Sequence, residues 1–158
     1  MLLTKKIHKD TIVVPLKGTT RSTIIQELLN QLVDFKYLTT SIKLFSFIEA
    51  MESEFCSTTG RGVAFPHSIS KEVDELICIL GISSDGILYN EDDVHPCHII
   101  LLSLSPINKS DIHRKFIARF RLLLSNPNLK NKIIDSTSPI ALETIIKNWE
   151  NIQTEEQL

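Results

Sequence analysis

Two histidines, His67 and His113, and the glycine-bearing loop ahead of the first are the residues whose types and spacing can do chemistry. The loop runs Thr58-Thr59-Gly60-Arg61-Gly62-Val63-Ala64-Phe65-Pro66 and ends at His67. Gly60 and Gly62 let the backbone turn and come close to a ligand. Ser57, Thr58 and Thr59 offer hydroxyls which, with the loop amides, can form an anion-binding concavity. A short apolar run then reads as a buried strand, and Pro66 stiffens the chain immediately before His67. A neutral imidazole nitrogen is a good nucleophile whose pKa lies near neutrality. Held at the rim of a sheet beside an anion cradle, it points to chemistry on a phosphate. The plainer reading is a histidine that caps a strand. Arg61 either pairs bidentately with phosphate or is a solvated loop charge.

His113 belongs to a helix expected to be capped by Ser110 and to begin Asp111-Ile112-His113. In a first helical turn the free N–H groups and the macrodipole favour anions. The same field disfavours an imidazolium, so a neutral His113 can donate one N–H to a phosphoryl oxygen. Its alternative is a solvated helix-start residue. Other constellations carry less. His95-Pro96-Cys97-His98 matches no common zinc spacing, and Cys97 and His98 point to opposite faces of a strand. Glu91-Asp92-Asp93 reads as a solvated loop, Cys78 as inert core, and no G-x-S-x-G elbow occurs. No metal and no cofactor are expected.

The elements that must position these residues alternate in type. Ile12 to Leu16 is a short strand that Pro15 confines to an edge. Gly18-Thr19-Thr20 supplies a turn and cap for a helix running to about Phe35, with Ile24, Leu28 and Leu32 on its apolar face. Thr39 or Thr40 opens a second helix with Leu44, Ile48, Met51 and Phe55 on its buried side. After His67, SISKEVDE reads as a polar loop. Leu76 to Ile82 and His98 to Leu104 are strands covered on both faces, joined through a hairpin or irregular excursion. Ile112, Phe116, Phe120 and Leu123 or Leu124 form the core side of the His113 helix. Asn126-Pro127 and Ser138-Pro139 each start a further helix, the last burying Leu142, Ile145, Ile146 and Trp149. Buried strands interleaved with amphipathic helices give a layered α/β domain.

At 158 residues the chain fits one domain spanning 1–158, with a core over about 11–150 and a charged, fraying tail at 151–158. A net charge of -2 without a basic stripe argues against nucleic acid as the main partner. Cys56, Cys78 and Cys97 cannot all pair and form no C-x-x-C, which points to a reducing, cytoplasmic setting. No signal-peptide core and no run long enough to insert in a membrane is present.

The segment STTGRGVAFPHS resembles the phosphorylation-site segment of the IIA components of the bacterial phosphoenolpyruvate-dependent sugar phosphotransferase system. The likeness is to the fructose/mannitol type, which includes stand-alone nitrogen-regulatory IIA proteins. It extends from LKGTTRSTIIQELL to IIKNW, and SDIHRKFIARFRLL resembles the family's second histidine-bearing element. The resemblance implies a mixed β-sheet flanked by amphipathic helices, the IIA type-2 fold. It implies a phosphoryl group carried on His67, faced by His113, and accepted from a phosphorylated HPr-type carrier. The onward partner would be the cysteine of a IIB domain or a regulatory target. With no IIB or membrane portion in the sequence, a stand-alone nitrogen-regulatory protein is the favoured branch and a separately encoded sugar-specific IIA the competitor. Two departures matter. Family members usually carry Arg-Glu late in the second helix where this chain has Met51-Glu52, and the S-T-G-I-G lead-in is altered to Ser57-Thr58-Thr59-Gly60-Arg61. The missing arginine supports a third reading, an interaction module that keeps the fold without transferring phosphate.

Overall fold

The computed structural model describes residues 1–156. Two long strands organise it: β4 (Ile77–Ile87) and β5 (Cys97–Ser105) pair antiparallel from Ile77↔Leu104 to Ile82↔Ile99, with a register irregularity before Ile87↔Cys97. The excursion expected after Ile82 is thus partly strand, extending β4 to Ile87. β1 (Ile12–Val13) lies parallel to β4 at one edge, the placement that Pro15 requires. On the other edge β5 takes two short parallel partners end to end, β2 (Val63–Ala64) and β3 (His67–Ile69). The result is one open mixed sheet with five helices, the fold class expected.

Alternation along β5 divides the core. Ile99 and Leu101 join Phe116, Phe120, Leu142 and Ile146 on one face; Ile100, Leu102 and Leu104 join Ile24, Leu28, Leu44 and Ile48 on the other. Helices α1 (Arg21–Asp34) and α2 (Ile42–Glu54) cover the second face. Helices α3 (Ser110–Leu124), α4 (Pro127–Ile134) and α5 (Pro139–Glu156) cover the first. With apolar side chains buried on both faces, each strand reads as a continuous hydrophobic run.

The caps of α1, α4 and α5 follow the sequence. Thr20 Oγ1 accepts from Thr23 N, Asn126 Oδ1 accepts from Asn128 N and Leu129 N, and Ser138 Oγ accepts from Ala141 N. Several expectations are corrected. Ser41 rather than a threonine is the cap residue of α2, although Thr40 Oγ1 accepts from Ile42 N. Lys109, not Ser110, precedes α3, and no side chain caps it. Met51 and Phe55 are 41% and 76% exposed, and Ile112 is exposed as well. In α2 the buried stripe is Leu44, Ile48 and Glu52; Phe47, Met51 and Phe55 form the adjoining stripe, which no element covers among the described residues. The polar run after His67 contains β3, and the helical tail reaches Glu156, beyond which the expected fraying falls outside the described residues.

The packed core also begins earlier than residue 11. Leu3 and Ile7 are fully buried around two short 3-10 turns, Leu3–Lys5 and Lys9–Thr11. Glu150, only 3% exposed, holds the first turn: its carboxylate accepts from Leu3 N (2.7 Å), Thr4 N (3.0 Å) and the Thr4 hydroxyl (2.8 Å). Arg119 completes the cluster, its Nε 3.5 Å from Glu150 and its guanidinium over the Trp149 ring.

Candidate functional site

His67 opens β3, in register with Ser103 of β5, and the Pro66 carbonyl accepts from Ser103 N at 3.0 Å. Pro66 has no N–H to offer a neighbour, so the chain is tied to β5 through its carbonyl at the point where the imidazole emerges. His67 Nδ1 lies 3.1 Å from the Phe65 carbonyl. A carbonyl can only accept, so Nδ1 carries the proton and Nε2 keeps the lone pair. His113 comes in from the first turn of α3: the two ring centroids are 5.4 Å apart and tilted by 41°. The two segments expected to meet do meet.

Burial, and then the neighbouring His67 ring, hold the His113 pKa below its ordinary value. The neutral state was expected from the helix end, but the main cause is loss of solvent. His113 Nε2 is buried and has no hydrogen-bond partner among the described residues. Below its ordinary pKa of about 6.5, histidine in the unfolded chain takes up a proton that folded His113 resists, so stability falls as pH drops from 7 towards 5. Thermal melts should show a fall that is smaller in His113→Gln, and an NMR titration should put the His113 midpoint below that of a free histidine. Equal pH slopes in the two proteins would refute this.

The loop ahead of His67 folds on itself. Gly60 and Gly62 sit at φ of +73° and +81°, a region costly for side-chain-bearing residues. Thr58 bridges Ala64, and Thr59 N donates to the Val63 carbonyl at 3.0 Å. The expected phosphate-binding hydroxyls have internal partners. Ser57 Oγ donates to Glu52 Oε2 (2.9 Å) and accepts from Phe65 N (3.1 Å); Thr59 Oγ1 donates to the Val63 carbonyl and accepts from Arg61 N. Thr58 Oγ1 lies 3.5 Å from Cys56 Sγ. The Gly62 carbonyl accepts from His98 N and Ile99 N, tying the loop to β5. The Arg61 carbonyl accepts from Lys130 Nζ at 2.7 Å. The contacts described for these residues shape the loop and reach neither imidazole. His98 Nδ1 donates to the Ser83 carbonyl, and among the described residues no three of His, Cys, Asp and Glu converge on one point.

Residues 5–149 match the family described as "Phosphoenolpyruvate-dependent sugar phosphotransferase system, EIIA 2". The chain belongs to this EIIA 2 family. It is 23% identical over 146 residues to the fructose-specific EIIABC component of the phosphotransferase system of Bacillus subtilis (strain 168), covering 92% of this chain and 23% of that protein. The chain thus spans about a quarter of the length of this curated relative. Its fold is similar to that of nitrogen regulatory protein IIA-Ntr from Neisseria meningitidis, with a TM-score of 0.80 at 17% identity over 91% of this chain and 98% of the other. It is also similar to a chain in the complex of enzyme IIAMTL and phosphorylated enzyme IIBMTL from Escherichia coli, with a TM-score of 0.76 at 15% identity over 90% and 98% of the two chains. Among the described residues no helix is long and apolar enough to cross a membrane.

Within this EIIA 2 domain the residue that sequence reasoning passed over is Glu52. It is 3% exposed and accepts from both the amide (3.1 Å) and the hydroxyl of Ser57. Ser57 in turn holds Phe65 N, so a carboxylate on α2 fixes the segment that leads into His67. The signal was present: Leu44, Ile48 and Glu52 are spaced i, i+4, which puts the carboxylate on the apolar stripe. Met51, which stands where the resemblance implies an arginine, is exposed. Tyr89 is buried beside Glu52, and burial first, then the carboxylate, push its phenol above the ordinary range. Cys78 is buried mid-strand, where burial raises its thiol to about 12, in keeping with inert core. Glu52→Ala strands the Ser57 amide and is expected to cost about 2–3 kcal/mol in urea denaturation. A loss within measurement error would show that the carboxylate does not anchor the loop.

Proposed function

We propose that this chain is a phosphohistidine carrier in which His67 Nε2 accepts a phosphoryl group from an HPr-type carrier protein and His113 stabilises its transfer. The observation that carries the reading is the imidazole pair, one ring with Nδ1 engaged and Nε2 free, the other neutral with an unpartnered nitrogen. The Nε2 lone pair attacks phosphorus in line with the donor's P–N bond, which breaks as the new bond forms. The electron pair of that bond returns to the donor imidazole, and the proton on His67 Nδ1 stays where it is. No base is required. Catalysis is then positioning and charge stabilisation: His113 donates its N–H to an equatorial oxygen.

The docking surface for the donor is the half-exposed rim around His67, including Ile69 of β3 and Ile112 beside His113, and the encounter is transient because the carrier must leave. We place the chain in the cytoplasm and in the nitrogen-regulatory branch, with output through its phosphorylation state. A sugar-specific role, passing phosphate to a IIB cysteine, is the second reading and draws on the fructose-specific relative. Incubation with phosphoenolpyruvate, the general phosphotransferase enzyme and the carrier should give an acid-labile phosphate whose 31P and 15N spectra assign Nε2. Absence of label with the native carrier would favour an interaction module. Rapid discharge onto the cysteine of an isolated fructose-type IIB domain would favour the sugar-specific role.

A further inference from the structure

A cavity lies towards the opposite end of α3. From His113 to Arg121 is about 12 Å along the helix axis at 1.5 Å per residue. Around Arg121 this cavity of about 420 Å³ opens, lined by Arg61 of the loop, Lys130 of α4, Thr59, Ser125 and Phe65. Three cations from three separate segments converge on it, and no acidic residue lines it. None of the three has a carboxylate within ion-pair distance among the described residues, whereas Arg21, Arg114 and Arg119 all do. Gathering like charges without a counter-charge costs folding energy, and an anion in the cavity would relieve it.

Two of the cations are held in place. The Arg121 guanidinium lies over the Phe65 ring at 4.9 Å, which fixes its plane and leaves its edge N–H groups directed elsewhere. Lys130 Nζ donates one N–H to the Arg61 carbonyl at 2.7 Å and keeps two for a ligand. Arg121 also offsets the partial negative charge at the C-terminus of α3, so the remaining field of the cavity is positive. A planar fork and a point charge suit phosphate oxygens, and the volume is that of a small-metabolite pocket.

We propose that this cavity binds a small phosphorylated metabolite carrying two anionic groups, at a site separate from the imidazole pair. The test is calorimetric titration of the full chain at about 0.15 M salt with inorganic pyrophosphate as the two-anion probe and inorganic phosphate as the single-anion control. Pyrophosphate should saturate below about 1 mM and bind at least about tenfold more tightly than phosphate. Arg121→Gln and Lys130→Gln should each weaken it by about tenfold, Lys130→Arg should restore most of the affinity, and His67→Ala should leave it unchanged. Far-ultraviolet circular dichroism on each variant separates lost binding from lost folding. No saturation by about 10 mM, equal affinity for the two probes, or equal binding by folded Arg121→Gln would overturn the proposal. Loss of binding in His67→Ala would do the same, by moving the anion to the imidazole pair.

Discussion

Replacing His67 by alanine is expected to abolish phosphoryl acceptance, lowering acid-labile labelling at least ~10³-fold, to background. The reason is stoichiometric. Nε2 of this ring is the nitrogen left free once Nδ1 is engaged by the Phe65 carbonyl, and Nε2 of the neighbouring His113 is buried. The fold should survive, because a partly exposed side chain making one hydrogen bond to a carbonyl two residues away contributes only about 1 kcal/mol. His113→Ala belongs to the same experiment and should give a graded result. Losing one hydrogen bond to a charged transition state slows transfer by about 10- to 100-fold without removing the acceptor. Undiminished labelling in His67→Ala would refute the acceptor assignment, and a normal rate in His113→Ala would remove the stabiliser.

The largest stability effect is expected far from the imidazoles, at Glu150. Glu150→Ala leaves the amides of Leu3 and Thr4 without their acceptor and Arg119 without its counter-charge, around a carboxylate that is itself buried. Breaking a buried pair from one side costs about 3–5 kcal/mol. In a chain of this size that lowers the melting temperature by roughly 10 °C. The loss should be partly recovered in Glu150→Gln, which keeps one acceptor oxygen. A shift of less than about 2 °C in the alanine variant would mean that the N-terminal turn is held by Leu3 and Ile7 alone.

What could be read ahead of the structure was whatever is local. Thr20, Asn126 and Ser138 announce helix starts because a cap needs only its own next few amides, and β4 and β5 announce themselves by unbroken apolar runs. β3 did not, since a strand of three residues around buried Ser68 has no period to detect; only its register with Ser103, Leu104 and Ser105 makes it a strand. Met51, Phe55 and Ile112 fell on the wrong side because helical spacing defines a stripe wider than the neighbours cover. Glu52 was passed over because a carboxylate among Leu44 and Ile48 makes sense only once Ser57 is seen donating to it. The approach of His67 to His113 came from the family resemblance, for nothing within either segment encodes the distance between them.

The parallel seating of β3 on β5 has a consequence for how the protein can be studied. Sequence-distant pairing of this kind closes only when most of the chain is already in place, because the loop entropy is spent before the contacts return it. A peptide covering residues 58–70 carries every group of the loop and its imidazole, yet it would have neither the ladder nor the opposing ring and should be inert to the carrier. Competence to take up the label would then appear only with the fully assembled molecule, which makes it a sensitive clock for the last step of refolding.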